Sequence, residues 1–306
     1  MAARSERVLI TGSTGFTGRV LGGRLRDDGY EVIGLSHDAT GPDTINVDLC
    51  DLDRLTKLLS QVNPNVVVHL AGIAAPSHDR IDEIYTTNVV GTANLFAALL
   101  AKKVEPRLII VASSAQVYAV EMTNEPIAED FLIAPKSHYA VSKRATEDIA
   151  RMYSSHFPII IARPFNYTGP GQSQAFLVPK IVHHYAERRS EIRVGNLDLY
   201  RDISDIRRVV EAYVRLISQS INSTTVNICS GRTVYLADIF KVMEEISGHT
   251  IKVVTDPSFA RSDEPHVIVG SAVRLEALVG SLPNPEFRET LLRMYEACRQ
   301  KISTNG

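Results

Sequence analysis

The sequence predicts an α/β fold in which a doubly wound parallel sheet of the Rossmann type is followed by a smaller C-terminal α+β region. Short runs rich in Val and Ile alternate with longer segments of helical period, as strands buried between two helical layers do. A glycine-rich turn follows the first of these runs. After about residue 165 the alternation becomes irregular, and the smaller region is expected to begin there.

The predicted sheet has six strands, and helices connect them. The strands are expected at Arg7 to Thr11, Glu31 to Leu35, Thr44 to Val47, Val66 to Leu70, Arg107 to Ala112 and Pro158 to Ala162. The helices are expected at about 16–28, Leu52 to Gln61, 80–102 and 138–156. Gly29 ends the first helix, and the Asn63-Pro64 turn follows the second.

The length of 306 residues allows about two domains. We predict that residues 1–165 form the sheet domain, that a later segment at about 196–232 returns to it, and that residues 166–306 form mainly the smaller region. In that region the pattern predicts helices at 175–188, 205–219 and 236–247, with strands at 191–194 and 224–228.

Composition and charge exclude several classes of protein. Lys and Arg number 33 against 35 Asp and Glu, and no polybasic run is present, so we expect neither a nucleic-acid nor a membrane partner. Cys50, Cys229 and Cys298 are far apart, and no histidine has the spacing of a metal ligand, so neither a disulfide framework nor a metal site is expected. The leading apolar stretch is too short for a signal peptide, which favours a cytoplasmic protein.

The glycine turn has the pattern G-x-x-G-x-x-G and lies between a predicted strand and a predicted helix. Glycines there allow a tight turn, bring backbone N–H groups close to a pyrophosphate and direct the positive end of the helix at it. An ordinary structural turn is the alternative, since the pattern alone is weak evidence. The position favours a dinucleotide site, whose expected residues are Gly12, Thr14, Gly15, Phe16, Thr17 and Gly18.

The residues after the second and third strands bear on the kind of dinucleotide. Ser36 and His37 follow the second strand, and small polar or cationic groups accept a 2′-phosphate better than a carboxylate does, which favours NADP(H). Asp38 keeps NAD(H) open, because it could reach the ribose hydroxyls. Asp48, beside Leu49, is expected either to accept the adenine amino group or to cap the next helix.

A tyrosine and a lysine lie four residues apart in a helical stretch, so Tyr139 and Lys143 share one face. Lowering a phenol pKa from about 10 to about 7 requires roughly 4 kcal/mol, more than one exposed cation supplies, so burial and a bound cationic nicotinamide would have to contribute the rest. Such pairs are common on ordinary helices. Ser114, at the carboxyl end of the fifth strand, gives this pair a place in an active site.

Five segments together resemble the extended short-chain dehydrogenase/reductases that act on nucleotide sugars. They are Gly12 to Gly18, His69 to Gly72, Asn88 to Thr92, Ser113-Ser114 with Val117-Tyr118, and Tyr139 to Lys143. The resemblance covers essentially the whole chain. Arg163 to Gln172 and Gly195 to Asp202 are most similar to GDP-4-dehydro-6-deoxy-D-mannose reductases.

The resemblance implies a role for each member of the trio: Ser114 orients a keto oxygen, Tyr139 exchanges its proton, and Lys143 lowers the tyrosine pKa and holds the nicotinamide ribose. It also implies further cofactor contacts at Leu70, Ala71, Gly72, Asn88 and Phe165. The implied substrate contacts are Ser113, Gln116, Asn166, Arg201 and Arg261. Lys180 is a further candidate, since a diphosphate needs cations, although such side chains are commonly solvated. A homodimer is implied as well, formed by the helix at 80–102 and the helix that carries Tyr139.

One departure narrows the reaction. Ser114-Ala115-Gln116 stands where nucleotide-sugar 4,6-dehydratases carry Thr-Asp-Glu, so dehydration is disfavoured. The leading hypothesis is an NAD(P)H-dependent reductase of the C4 ketone of a GDP-linked 4-keto-6-deoxy sugar. The alternatives are a nucleotide-sugar 4-epimerase with tightly held NAD and a non-catalytic, dinucleotide-binding regulatory protein.

Overall fold

The computed structural model describes residues 6–38, 44–74, 80–120, 123, 125–220, 222–256 and 265–305. The strands are β1 (Arg7–Thr11), β2 (Glu31–Ser36), β3 (Thr44–Asn46), β4 (Val66–His69), β5 (Leu108–Ala112), β6 (Ile159–Pro164), β7 (Asn166–Thr168), β8 (Glu191–Val194), β9 (Tyr200–Asp205), β10 (Thr224–Ile228), β11 (Thr233–Tyr235), β12 (Lys252–Thr255) and β13 (Val267–Ile268). The helices are α1 (Phe16–Asp27), α2 (Leu52–Val62), α3 (Ile81–Tyr85), α4 (Gly91–Ala101), α5 (His138–Met152), α6 (Leu177–Ala186), α7 (Ile206–Ser218), α8 (Asp238–Ser247), α9 (Val273–Val279) and α10 (Phe287–Asn305).

A seven-stranded parallel sheet organises the chain, in the order β10-β6-β5-β4-β1-β2-β3. The predicted fold class is therefore confirmed. The strand order reverses between β1 and β4, and in such sheets the carboxyl ends of the strands open onto a crevice at this point. The glycine turn after β1 and the segments that follow β4 and β5 all reach that crevice.

The sheet is covered on both faces because its buried strands alternate their side chains. Val8 and Ile10 of β1 pack with α1, α7 and α9, whereas Leu9 between them packs with α2, α4 and α5. Both cores are apolar and fully buried. The packing holds the starts of α1 and α5 at the carboxyl edge of the sheet, where the crevice lies.

The smaller region has its own core between α6, α8 and α10, which includes Ile181, Tyr185, Phe240, Met243 and Leu291. Strand β9 lies between β11 and β13 and also pairs with β7, while β8 and β12 form a separate two-stranded sheet. This region follows β6 and so lies beside the carboxyl edge of the main sheet.

The predicted return of the chain to the sheet is narrower than 196–232. Strand β10 pairs with β6, and α7 packs in the same core as α1. Strand β9 instead joins the smaller sheet. Helix α7 leads into β10 and therefore begins at the carboxyl edge of the sheet. Strand β9 ends directly before α7, so it lies outside the sheet at that edge. The division of the chain at residue 165 stays a prediction.

Several elements differ from those predicted. The helix expected at 138–156 ends at Met152, and β6 runs from Ile159 to Pro164. The short strands β7, β11, β12 and β13 contain too few residues to show a period. Strand β9 and helices α9 and α10 were not predicted either.

The helix expected at 80–102 is one continuous run in which a π-helical turn at Thr86–Val90 joins α3 to α4. Over Ile81–Ala101 an 18-residue window reaches a mean hydropathy of 1.3, enough by length and composition to cross a membrane, and 44% of that window is buried inside the protein. These properties are weak evidence for a membrane span, since the core helix of a soluble protein has them too.

Candidate active site

The glycine turn packs so tightly that two of its positions have no space for a side chain. Gly12 has φ +69°, and a Cβ there would lie 2.7 Å from the backbone nitrogen of Ala71. A Cβ on Gly18 would lie 2.7 Å from Ser13 Cα. Gly15 is exposed, precedes the first turn of α1 and has an ordinary φ of −66°. The turn therefore offers an open backbone cradle in front of the N-terminus of α1, a shape that suits a pyrophosphate.

Asp38 lies beside the glycine turn, at the end of β2. The Thr14 hydroxyl donates to Asp38 Oδ1 (2.9 Å) and lies 2.8 Å from the Ser36 hydroxyl, which bonds to the same carboxylate. The hydrogen bonds from Ser36 and Thr14 hold the pKa of the Asp38 carboxyl below its usual range. Both His37 and Asp38 are exposed. The Asp38 carboxylate, the residue that left NAD(H) open in the sequence, thus lies beside the glycine turn together with Ser36.

Asp48 is exposed in the turn between β3 and α2, next to the buried Leu49. Its Oδ1 accepts a hydrogen bond from the Cys50 backbone N–H (2.9 Å), whereas Asp51 caps α2 by accepting from Arg54 (3.0 Å). The expectation that Asp48 caps this helix is therefore wrong, because the capping residue, Asp51, lies three positions later.

A buried histidine fixes the end of β4, where Leu70, Ala71 and Gly72 follow. Thr92 Oγ1 donates to the carbonyl of Asn88 (2.5 Å), so its bond to His69 Nε2 (2.9 Å) needs a proton on that nitrogen. His69 Nδ1 then accepts from Thr11 Oγ1 (2.7 Å). Burial lowers the pKa of His69 to about 3, so the ring is neutral. Through Thr11 and Thr92 the ring joins β1 and β4 to the first turn of α4.

Asn88 lies in that π-helical turn and is 1% exposed. Its Oδ1 accepts from the Ile73 N–H (2.7 Å) and its Nδ2 donates to Ser142 Oγ (2.9 Å). A Cβ on Gly72 would lie 3.0 Å from Asn88 Oδ1 and 3.1 Å from Lys143 Nζ. Both of these polar groups therefore surround the backbone just after β4.

The trio assembles at the carboxyl end of β5. Ser114 and Tyr139 are joined by a side-chain hydrogen bond, yet burial raises the pKa of Tyr139 to about 12. Lys143 Nζ donates to the carbonyl of Ala112 (2.8 Å), and burial lowers the pKa of Lys143 to about 8. The expected lowering of the Tyr139 pKa is thus reversed in this arrangement, because burial dominates and the ammonium is turned toward the strand.

Ser113 does not face the crevice, which corrects its expected substrate role. Its hydroxyl donates to Glu147 Oε1 (2.6 Å), and its side chain is buried. Glu147 also pairs with Arg163 through two 2.7 Å hydrogen bonds. Ser113 is therefore directed at the buried Glu147–Arg163 pair, whereas Ser114 bonds to Tyr139.

The other expected contacts are spread more widely. Gln116 and Asn166 are exposed, as crevice residues should be. Phe165 is 4% exposed and packs against Tyr118 and Cys229, so its side chain does not line an open site.

The expected phosphate-binding cations are not gathered at one point. Lys180 Nζ donates to the carbonyl of Arg193 (2.6 Å) beside β8, where that bond directs its ammonium. Arg201 is 6% exposed and donates to the carbonyls of Tyr200 (2.8 Å) and His266 (3.2 Å). Arg261 lies outside the described residues.

Tyr167 is a residue at the site that sequence reasoning missed. Its hydroxyl lies 2.8 Å from Thr17 Oγ1, and its ring stacks on Phe16 with centroids 6.0 Å apart. It is also close enough to Tyr139 to affect the pKa of that phenol. Tyr167 therefore links the start of α1 to the trio; it stands inside the segment Arg163 to Gln172 but carries no spacing signal of its own. Within the described ranges, no cluster of three or more His, Cys, Asp or Glu side chains could hold a metal ion.

Comparison with known proteins gives the class of this molecule. The sequence profile of the NAD dependent epimerase/dehydratase family matches residues 8–229. Fold, site and match define an NAD(P)-dependent enzyme of the extended short-chain dehydrogenase/reductase type. The chain belongs to the NAD dependent epimerase/dehydratase family.

Three curated relatives cover most of the chain. It is 30% identical over 288 residues to the GDP-6-deoxy-D-talose 4-dehydrogenase of Aggregatibacter actinomycetemcomitans, with 94% of each chain covered. It is 28% identical over 296 residues to the GDP-6-deoxy-D-mannose reductase of Pseudomonas aeruginosa, covering 94% of this chain and 95% of the relative. It is 31% identical over 229 residues to the UDP-glucose 4-epimerase of Mycolicibacterium smegmatis, covering 68% and 72%.

Solved structures agree with the fold. A protein from Burkholderia cenocepacia J2315 is 39% identical, with a TM-score of 0.90 over 97% of this chain and 100% of that chain. The structure of RMD from Pseudomonas aeruginosa in complex with NADPH is 27% identical, with a TM-score of 0.86 over 97% and 100%. These likenesses extend through the smaller region as well as the sheet.

Proposed function

We propose that this enzyme reduces the C4 ketone of a GDP-linked 4-keto-6-deoxy sugar. The observation that carries the proposal is the hydrogen-bonded Ser114–Tyr139 pair at the end of β5, with Lys143 one turn further along α5 and Gln116 exposed beside it. Neither Ala115 nor Gln116 can exchange a proton, so the acid–base pair of a dehydratase is absent at these positions. Two relatives that match 94% of the chain are named for oxidation or reduction of GDP-6-deoxy sugars.

In this mechanism the protein orients the ketone and supplies a proton. The nicotinamide, when bound, supplies the hydride. Ser114 donates a hydrogen bond to the ketone oxygen, and Tyr139 gives its proton to that oxygen as negative charge develops there. A phenol with a raised pKa is protonated at neutral pH, so the acid form needed for reduction is the one present. The Lys143 ammonium then favours the phenolate that remains.

Asp38 supports NADH over NADPH as the reductant. Its carboxylate lies at the end of the glycine turn, where it suits two ribose hydroxyls and repels a 2′-phosphate. The segment from Ser36 to Asp43 contains no Lys or Arg that could bind a phosphate. We therefore replace the NADP(H) preference expected from Ser36 and His37 with a preference for NAD(H).

The reaction is tested by following cofactor absorbance when GDP-4-keto-6-deoxymannose is added with NADH or NADPH. Stoichiometric oxidation, with kcat/KM at least tenfold higher for NADH, is expected. Asp38→Asn should narrow that ratio because it removes the charge that repels the phosphate. A parent enzyme that prefers NADPH would contradict the role given to Asp38 while leaving the reductase intact.

A nucleotide-sugar 4-epimerase is the second candidate, favoured by the same Asp38 carboxylate, because an epimerase keeps NAD bound through each cycle. UDP-glucose and UDP-N-acetylglucosamine, incubated without added cofactor, distinguish the two. Interconversion of a UDP-sugar, with NAD recovered from the denatured protein and no oxidation of added NADH, would replace the reductase by the epimerase.

We also propose that the enzyme is a homodimer. Five large apolar side chains are exposed on the adjacent helical elements α3 to α5: Ile81, Val90, Leu100, Val141 and Met152. Exposed apolar surface of this kind marks an interaction site. A second copy, packing the same helices against these, would cover it by two-fold symmetry.

A further inference from the structure

Three consecutive residues at the end of β5 bond to three residues one helical turn apart on α5. The Ala112 carbonyl accepts from Lys143 Nζ (2.8 Å), the Ser113 hydroxyl donates to Glu147 Oε1 (2.6 Å), and Ser114 bonds to Tyr139. Tyr139, Lys143 and Glu147 follow one another at intervals of four residues and so share one face of α5. Glu147 is thus the third member of a row whose first two members carry the chemistry.

Glu147 is itself held rigidly. Its side chain has no exposed surface, and Arg163, buried on β6, forms a two-pronged ion pair with it at 2.7 Å. Arg151, on the same helix, adds a third bond (2.8 Å) from a half-exposed position. Burial disfavours the carboxylate, but the hydrogen bonds and charge of Arg163 keep the pKa of Glu147 below its usual range. The group is an anion throughout the physiological pH range.

We propose that Glu147, fixed by Arg163, is a positioning residue that acts on the reaction through Lys143 and through the end of β5. It pins Ser113 and thereby sets the direction of Ser114, its neighbour. It also supplies negative charge one helical turn from the Lys143 ammonium. In both respects it works on groups that touch the substrate or cofactor without touching either.

The charges around Lys143 make this effect visible in a pH profile. Burial lowers the pKa of Lys143 to about 8, and the charge of Glu147 opposes that change. His69, which faces it from β4, is neutral because its pKa is about 3, and Tyr139 is neutral because its pKa is about 12. Arg163 and Arg151 face Glu147 from β6 and from α5. Removing the carboxylate therefore lowers the pKa of Lys143 further.

The experiment compares the parent with Glu147→Gln and with the double variant Glu147→Leu, Arg163→Met. The double variant removes the ion pair without leaving a buried guanidinium unpaired, so it keeps the comparison readable if Glu147→Gln fails to fold. Glu147→Asp, which keeps the charge, is the conservative rescue. The matched control is Glu276→Leu, Arg208→Met, which removes another ion pair with a buried arginine (2.8 Å) far along the chain from the trio.

Two profiles are recorded from pH 6 to pH 10: kcat/KM with NADH, and the NADH dissociation constant from fluorescence. The second rests on no assumption about the sugar, so a failed reductase assay and a failed role for Glu147 remain distinguishable. We expect the alkaline limb near pH 8 to move down by about one unit in Glu147→Gln, a loss of about tenfold at pH 9. The double variant should show a smaller move in the same direction, because it also loses the positive charge of Arg163.

The control pair and Glu147→Asp should keep the parental limb, whatever their thermal stability. A limb that is unchanged in Glu147→Gln and in the Glu147, Arg163 double variant would reduce the ion pair to a purely structural role. The same conclusion would follow if the Glu276, Arg208 control moved the limb as far.

Discussion

Tyr139 carries the proton of the proposed reaction, and its burial decides which form it takes. Because the phenol has a pKa of about 12, it enters the reaction protonated and depends on Ser114, Lys143 and bound nicotinamide to release its proton. The side chain thus holds a proton that it can donate, and in this form it is a poor base for abstracting one.

Tyr139→Phe should lower kcat by about two to four powers of ten, since it removes a proton donor and keeps the ring. NADH affinity should stay within twofold of the parent. The measurement is turnover with saturating keto sugar, alongside a calorimetric titration with NADH. Tyr153→Phe is the matched control, because Tyr153 stacks on Phe96 at the far end of α5 and should leave turnover unchanged. If Tyr139→Phe kept more than a tenth of the parental rate, the trio would not be the catalytic group.

His69 links the site to acid stability. Its pKa falls from 6.5 in the unfolded chain to about 3 in the folded one, so between these values the unfolded state binds more protons. Stability contributed by the neutral ring is therefore present above pH 6.5 and lost as the pH falls toward 3.

Between pH 7 and pH 5 this loss amounts to about 2 kcal/mol in the free energy of unfolding. His69→Gln has no titrating ring, so urea denaturation at the two pH values should show a correspondingly smaller loss for the variant. Equal losses in the two proteins would mean that His69 is protonated, or exposed, in the folded state.

At the scale of elements, different glycines of the turn before α1 are needed for folding and for cofactor binding. Gly12 and Gly18 are required by the packing of the turn itself, whereas Gly15 is open on the side of the cradle. A Cβ on Gly15 would meet only the carbonyl of Gly12, at 3.1 Å. Substitution there thus acts mainly on what approaches the turn.

Gly15→Val should weaken NADH binding at least tenfold with a modest loss of stability, because its methyl groups occupy the approach of the pyrophosphate. Calorimetric titration measures the first quantity and thermal unfolding the second. Gly23→Ala, within α1, is the control: a Cβ there meets nothing within 4 Å, so the NADH affinity of this variant should match that of the parent. If Gly15→Val bound NADH as tightly as the parent, the cofactor site would lie elsewhere.

The continuous helical run of α3 and α4 has one face buried in the protein and one face exposed. One face packs against α2 and the sheet, and includes Leu95, Phe96 and Leu99. The other exposes Val90 and Leu100. The apolar composition on both sides explains why this run has a hydropathy high enough for a membrane helix.

At the scale of the whole molecule, the exposed apolar face predicts a second copy of the chain. Val90→Lys with Met152→Glu should convert a dimer into a monomer in sedimentation velocity at micromolar concentration, because charges resist burial. Val273→Lys is the control, since Val273 on α9 is as exposed as Met152, at 75%, and lies outside this face. A parent that sediments only as a monomer would end the proposal.

The sequence by itself determined the periodic and local features of this protein. Alternating apolar runs define buried strands between helical layers, and a glycine turn after the first strand needs only its own few residues to be recognised. The face shared by Tyr139 and Lys143 likewise follows from helical geometry alone. These signals are complete within one or two elements, which is why the sheet and the turn could be predicted and the members of the trio could be named as candidates.

Only the tertiary structure decided the features that depend on contacts between distant residues. Thr11 and His69 are separated by 58 positions, and Ser113 and Glu147 by 34, and no sequence pattern connects either pair. The same holds for Asp38 beside Thr14 and for β10 beside β6. A hydrogen bond or strand pair of this kind exists because packing brings two segments together, and its chemistry depends on the burial that the packing creates.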